Sequence, residues 1–141
     1  MDKKQACRQL FATLQADLAD YPRLMESLEA QFHAALAHDA AGLEACAADI
    51  SALCARLEQS RRLRLGLVKA LLPSAEEPTM AGALAVLPPA VREQGEARWQ
   101  SLSGLIVASR ERNLRNGQLL QQQRVLLRRV LEGEADVYAA Q

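Results

Sequence analysis

Histidine and cysteine are the first places to look for chemistry, because imidazole and thiolate supply most metal ligands, general bases and nucleophiles. The chain has two histidines, His33 and His38, and three cysteines, Cys7, Cys46 and Cys54. The histidines are five positions apart, which turns them to different sides of a helix, and no HExxH spacing occurs. Adding Cys46 gives a trio whose spacing fits no common zinc site. An odd cysteine count without a CxxC pair reads as reduced, partly buried thiols in a cytoplasmic protein. Glu76-Glu77, Glu93 with Glu96, and Glu132 with Glu134 read as solvated or dipole-matching acids, not as general acid/base pairs. No Ser or Cys sits in a nucleophile motif, and neither GxxxxGK[ST] nor GxGxxG is present. The residues point away from an enzyme and call for neither cofactor nor metal.

Arginine is the remaining reactive class. Arg61-Arg62-Leu63-Arg64 and the arginines from Arg124 to Arg129 have the charge to touch phosphates, but no aromatics are interleaved with them. Lysine plus arginine number 17 and aspartate plus glutamate also 17, so the formal charge is zero. A dedicated nucleic-acid binder needs positive potential, so no nucleic-acid partner is expected. The balance hides an asymmetry. Residues 1–60 carry nine acids and five bases, whereas residues 97–129 carry seven arginines and the single acid Glu111. The two halves can attract each other in a hairpin, or the basic half can attract a partner.

What is left is adhesion. The stretch Glu111–Leu127, ERNLRNGQLLQQQRVLL, has the rhythm of a long amphipathic helix but an unusual polar content. Turned at 100° per residue, Leu102, Leu105 and Ile106 share one broad face with Leu119, Leu120, Leu126, Leu127, Val130 and Leu131. That face is the predicted core face. Ser109, Asn113, Asn116 and Gln123 fall in the same arc. Either they hydrogen-bond across a bundle, or they mark a half-covered seam that a partner helix completes. Val107, Leu114 and Val125 lie on nearly the opposite side, as a second contact surface or as scattered surface aliphatics. Gly117 in mid-helix costs about 1 kcal/mol relative to alanine. Close approach of another helix, or a local irregularity, would account for it.

The elements that position this stretch are helices. The composition favours them, no segment reads as strand, and 141 residues make about one domain, residues 1–141. Leu10, Leu14, Leu18, Tyr21, Leu24 or Met25, Leu28, Phe32 and Leu36 keep a three-and-four spacing over residues 4–37. Pro22 interrupts it without a change of phase, which predicts a kink or two helices end to end. Asp39 caps a second helix over 40–71, though the break is slight enough for one long rod. Its apolar face includes Leu57, Leu65 and Val68, and its late Arg61, Arg62, Arg64 and Lys69 suit the helix dipole. Prolines punctuate 73–89, with a short helix over 80–87 capped by Thr79. Pro88-Pro89 opens a third long helix, which Gly133 ends near 132, a span of about 60 Å. The predicted architecture is all-α, an elongated antiparallel helical bundle with a long C-terminal helix. No apolar run reaches membrane-spanning length and the N-terminus lacks a signal peptide's apolar stretch, so no stable membrane insertion is expected.

Three runs resemble a known family. Leu36 to Leu43 resembles the "aL-x-x-D-x-x-x-L" junction of FlgN, the flagellar type III export chaperone. Arg61-Arg62 with Leu63 and Leu65 resembles that family's end of the second helical segment. Asn113-Leu114-Arg115-Asn116-Gly117-Gln118-Leu119-Leu120 resembles its motif N-x-x-N-G-x-L-L. The resemblance covers nearly the whole chain. It implies a cytoplasmic chaperone whose clients are the hook–filament junction proteins, also called hook-associated proteins. Such a chaperone binds the client's C-terminal helical segment, prevents premature assembly and delivers it to the flagellar export gate and ATPase complex. In the family the client-binding part lies in the C-terminal helix. Here that implies Asn113, Leu114, Asn116, Gly117, Leu119 and Leu120, with Gln123, Leu126 and Leu127 beyond them. The family's tail often bears a tyrosine and a glycine that meet the export gate. Tyr138 would be that contact, although Ala139-Ala140-Gln141 ends the chain without glycine. The alternatives are a self-associating helical bundle, as a homo-oligomer or adaptor, and a chaperone of a virulence-type secretion system.

Overall fold

The computed structural model describes the backbone of residues 1–139 and the side chains of residues 1–133. Four helices make up its regular structure, α1 (Lys3–Leu36), α2 (Ala40–Leu71), α3 (Met80–Ala85) and α4 (Pro89–Ala139). No strand occurs among the described residues. The protein is all-α.

Asp2 starts α1 with a capping box. Its carboxylate accepts from the Gln5 backbone N–H at 2.8 Å, and the Gln5 side chain accepts from the Asp2 N–H. The helix runs unbroken through Pro22. Pro22 lies on the exposed side of α1, and the helix continues through it. A true turn separates α1 from α2, so the two are not one rod. His38 adopts φ 53°, and the N–H groups of His38 and Asp39 bond back to the carbonyls of Ala35 and Ala34. That is the left-handed exit usually given to glycine. Asp39 then caps α2 through the Gly42 N–H at 3.0 Å.

α2 runs antiparallel to α1, as the pairings of Asp17 with Arg64 and of Asp20 with Arg56 show. α4 runs parallel to α1. Glu29 of α1 meets Arg112, Leu28 meets Asn116 and Ala35 meets Gln123. Both partners pack on α1, but the α2 and α4 backbones nowhere approach within 8 Å, Cα to Cα, among the described residues. They meet through side chains, as where the Arg64 guanidinium lies 5.7 Å from the Trp99 ring centroid.

Two apolar clusters form the core. At the closed end Ala6 and Leu10 of α1 pack with Leu67, Val68 and Leu71 of α2, and Ala83, Leu84 and Leu87 plug that end. Nearer the α1–α2 turn, Leu24 and Leu28 pack with Leu53 and Leu57. Between them lies a charged layer. Both terminal nitrogens of Arg64 donate to Oδ2 of buried Asp17 at 2.7 Å. Burial pushes the Asp17 carboxyl up, while the Ser60 hydroxyl and the Arg64 charge pull it down. Oδ1 of Asp17 and the Ser60 hydroxyl are buried without a hydrogen bond of standard geometry.

This layer corrects the reading of α2. Arg64 is 7% exposed, while Leu65, expected on the packing face, is 43% exposed. Arg64 lies seven positions after Leu57, and the next buried pair is Leu67 and Val68. Arg64 therefore occupies a core position of the heptad and has no role in matching the dipole.

Arg61 and Arg62 stay outside and both donate to Glu58. Hydrogen bonding from Arg61, then Arg62, holds the Glu58 carboxyl at about 2 instead of 4.5. A depressed folded value stabilises the fold above the unfolded pKa, and the contribution is lost as pH falls through the folded one. Carboxyl-detected NMR titration should place the Glu58 midpoint at about 2, and Arg61→Ala with Arg62→Ala should return it toward 4.5.

Candidate partner-binding surface

α4 is anchored to α1 by residues seven apart, Leu102, Ser109, Asn116 and Gln123, of which the first three are buried. A seven-residue repeat keeps one seam against the partner helix. Leu102 is apolar, but the rest of the seam is polar. Asn116, 2% exposed, donates from its amide nitrogen to the Leu28 carbonyl and to Gln31 Oε1, both at 2.8 Å. Its oxygen accepts from Arg115. Gln123 donates to the Ala35 carbonyl at 2.8 Å. These two residues therefore fix register within the bundle. The Ser109 hydroxyl is buried without a partner. Asn116→Ala should cost about 1–3 kcal/mol, since it removes two hydrogen bonds at once, the one to the Leu28 carbonyl fully buried. Urea unfolding of the variant measures it.

One flank of the seam is tied down electrostatically. Glu29 holds Arg112 at 2.9 Å and Arg115 at 3.0 Å, and the Arg115 guanidinium lies 3.8 Å from the Phe32 ring centroid. Hydrogen bonding from Arg115 leads the causes that hold the Glu29 carboxyl below the usual carboxylate range. The acidic front and basic back halves of the chain meet here.

The other flank is open, and it differs from expectation in three ways. Asn113 does not join the seam and is exposed, together with Leu114 at 62%. Gly117 meets no neighbouring helix, for an added Cβ there would find nothing within 4 Å. The close approach is at Gly95 instead, where a Cβ would lie 2.6 Å from Leu84 Cδ2 and 3.1 Å from Phe11 Cζ. Lastly, the predicted core face fails beyond Gln123. Leu126, Leu127, Val130 and Leu131 are 63, 59, 53 and 59% exposed. The cause is register. Gln123 already meets Ala35 in the last turn of α1, so there is no α1 left for the later leucines to pack on.

The helix also continues past Gly133, which does not end it, and no glycine adopts positive φ among the described residues. α4 thus projects clear of the bundle. Leu119, Leu120 and Val125 are half-buried, while Val107 of the rear line is exposed. Asn113, Gly117, Leu120, Arg124, Leu127 and Leu131 follow one another at steps of four and three, so they line one side of α4. Except for half-buried Leu120, this stripe is exposed. The side chain of Tyr138 lies outside the described residues.

Among the described residues, no group of three or more His, Cys, Asp or Glu side chains is placed to hold a metal ion. Cys7 and Cys46 are half-buried and Cys54 exposed, all as free thiols, and burial pushes the Cys7 thiol up. Among the described residues, too, no helix is long and apolar enough to cross a membrane.

A family model described as "FlgN protein" matches residues 1–133. No curated protein and no solved structure matches the chain.

Proposed function

The chain belongs to the FlgN family, a family of flagellar export chaperones, and from that premise we propose that it captures the C-terminal helical segment of hook–filament junction proteins on the open side of α4. The observation that carries this reading is the stripe from Asn113 to Leu131. It has the spacing of a helix–helix seam, it is apolar at Leu120, Leu127 and Leu131, and no part of the bundle covers its distal half. Gly117 supports it, because a glycine facing open space lets a second backbone come close.

The mechanism is coverage. A client helix lays its apolar face along the stripe, so the surface it would use in assembly is hidden while both proteins are in the cytoplasm. Asn116 and Gln123 take no part in the contact and keep α4 in register on α1 while the client binds. Arg124 and Arg128 flank Leu127 and favour acids on the client there, while Glu132 lies at the far end beside Leu131. Delivery to the export gate and ATPase complex requires reversible binding, which a seam mixing Asn113, Gly117 and Arg124 with three leucines supplies. Co-purification with a hook–filament junction protein tests the reading. Full-length client should be retained, and client lacking its C-terminal helix should not. Equal retention of both would overturn it.

A further inference from the structure

A second hollow opens at the closed end of the bundle, opposite the α4 projection. This cavity of about 810 Å³ lies between the first turns of α1, the last turn of α2 and the segment entering α4. That volume lies in the range of cavities that bind ligands. Phe11, Leu71, Leu87 and Val91 contribute apolar wall, and Val86 beside them is 53% exposed. Lys3, Lys4 and Arg8 also line it. None of these three cations makes an ion pair among the described residues. Asp2, their neighbour in sequence, is engaged as the α1 cap. In a chain with no net charge, three unpaired cations beside an apolar recess form a local surplus.

The arrangement selects among anionic partners. Lys4 and Arg8 are one turn apart on α1, about 6 Å along its axis, so the charge forms a row. A row matches carboxylates repeated along a polypeptide, whereas a single-headed amphiphile presents one. The recess also calls for inserted side chains, which a flat membrane surface does not offer. We propose that this cavity docks an acidic amphipathic helix of a partner polypeptide, with its apolar side chains against Phe11 and Val91 and its carboxylates on Lys4 and Arg8. Val91 and Leu131 are about 60 Å apart along α4, so this site and the α4 stripe are occupied independently.

A synthetic helical peptide with leucine at three-and-four spacing and glutamate on the flanks is the probe, titrated into the full chain by NMR. Backbone shifts should change over Lys3–Phe11 and Val86–Gln94. Lys4→Glu with Arg8→Glu should weaken binding by at least about tenfold, with the circular dichroism spectrum unchanged. Both substitutions are on exposed residues, so the fold is retained. Shift changes confined to residues 113–131, or unchanged affinity in the double variant, would overturn the proposal. So would equal binding of a lysine-for-glutamate peptide. Dodecanoate binding as tightly as the peptide would assign the cavity to a free amphiphile and overturn the polypeptide partner.

Discussion

Leu127→Asp should abolish capture of the client helix and leave the chain folded. Leu127 is 59% exposed in the free protein and touches no core cluster, so a surface change there stays within about 0.5 kcal/mol of wild-type stability. In the proposed complex the same position would lie at the middle of the contact, between Arg124 and Leu131. A carboxylate there must be buried against an apolar helix or hold the helices apart. An unpaired buried charge costs several kcal/mol, and about 3 kcal/mol already removes two orders of magnitude in affinity. Leu120→Asp is a poorer test, because Leu120 is half-buried and its loss also disturbs α4 on α1. Pull-down and calorimetry with a hook–filament junction protein, alongside circular dichroism of the variant, decide the matter. A folded Leu127→Asp chain that binds its client normally would remove the stripe from the interface.

Arg64→Ala has the largest expected effect on stability, a loss of about 3–5 kcal/mol. The substitution strips the guanidinium from Asp17, which is 1% exposed and has its other oxygen already unpartnered. It also removes the side chain that bridges α2 to Trp99 of α4. Against the 5–15 kcal/mol that holds a typical domain together, this is a large fraction. Replacing both partners, Asp17→Leu with Arg64→Leu, should restore most of the loss, because burying two charges carries its own desolvation penalty. Urea denaturation of the single and double variants measures both. A single variant as stable as wild type would mean that water reaches the pair.

Much of the architecture was legible in the chain. Asp39 marked the start of α2, Pro88-Pro89 the start of α4, and the three-and-four spacing of Leu10, Leu14, Leu24 and Leu28 the inner face of α1. Local chemistry sets these features, so local reading finds them. Arg64 could not be found that way. Arginine at a core position looks like arginine on a surface until Asp17, 47 residues away, is known to face it. The end of the α4 seam was hidden for a similar reason. Leu126 to Leu131 continue the apolar pattern without a break, and only the pairing of Gln123 with Ala35 shows that α1 has run out. Gly117 and Gly95 make the same point. Both are glycines inside α4, and which one meets a neighbour depends on where α3 folds back.

The charged layer at Asp17 and Arg64 has a consequence for how the molecule opens. It separates an eight-residue apolar cluster, drawn from α1, α2, α3 and the segment before α4, from a four-residue cluster held by α1 and α2 alone. An interior divided in this way does not loosen as one unit, and fluctuations begin where fewer apolar contacts must be broken. The thinly sealed half is the one from which α4 projects. A loosening that starts there reaches the root of the α4 projection while the closed end stays intact.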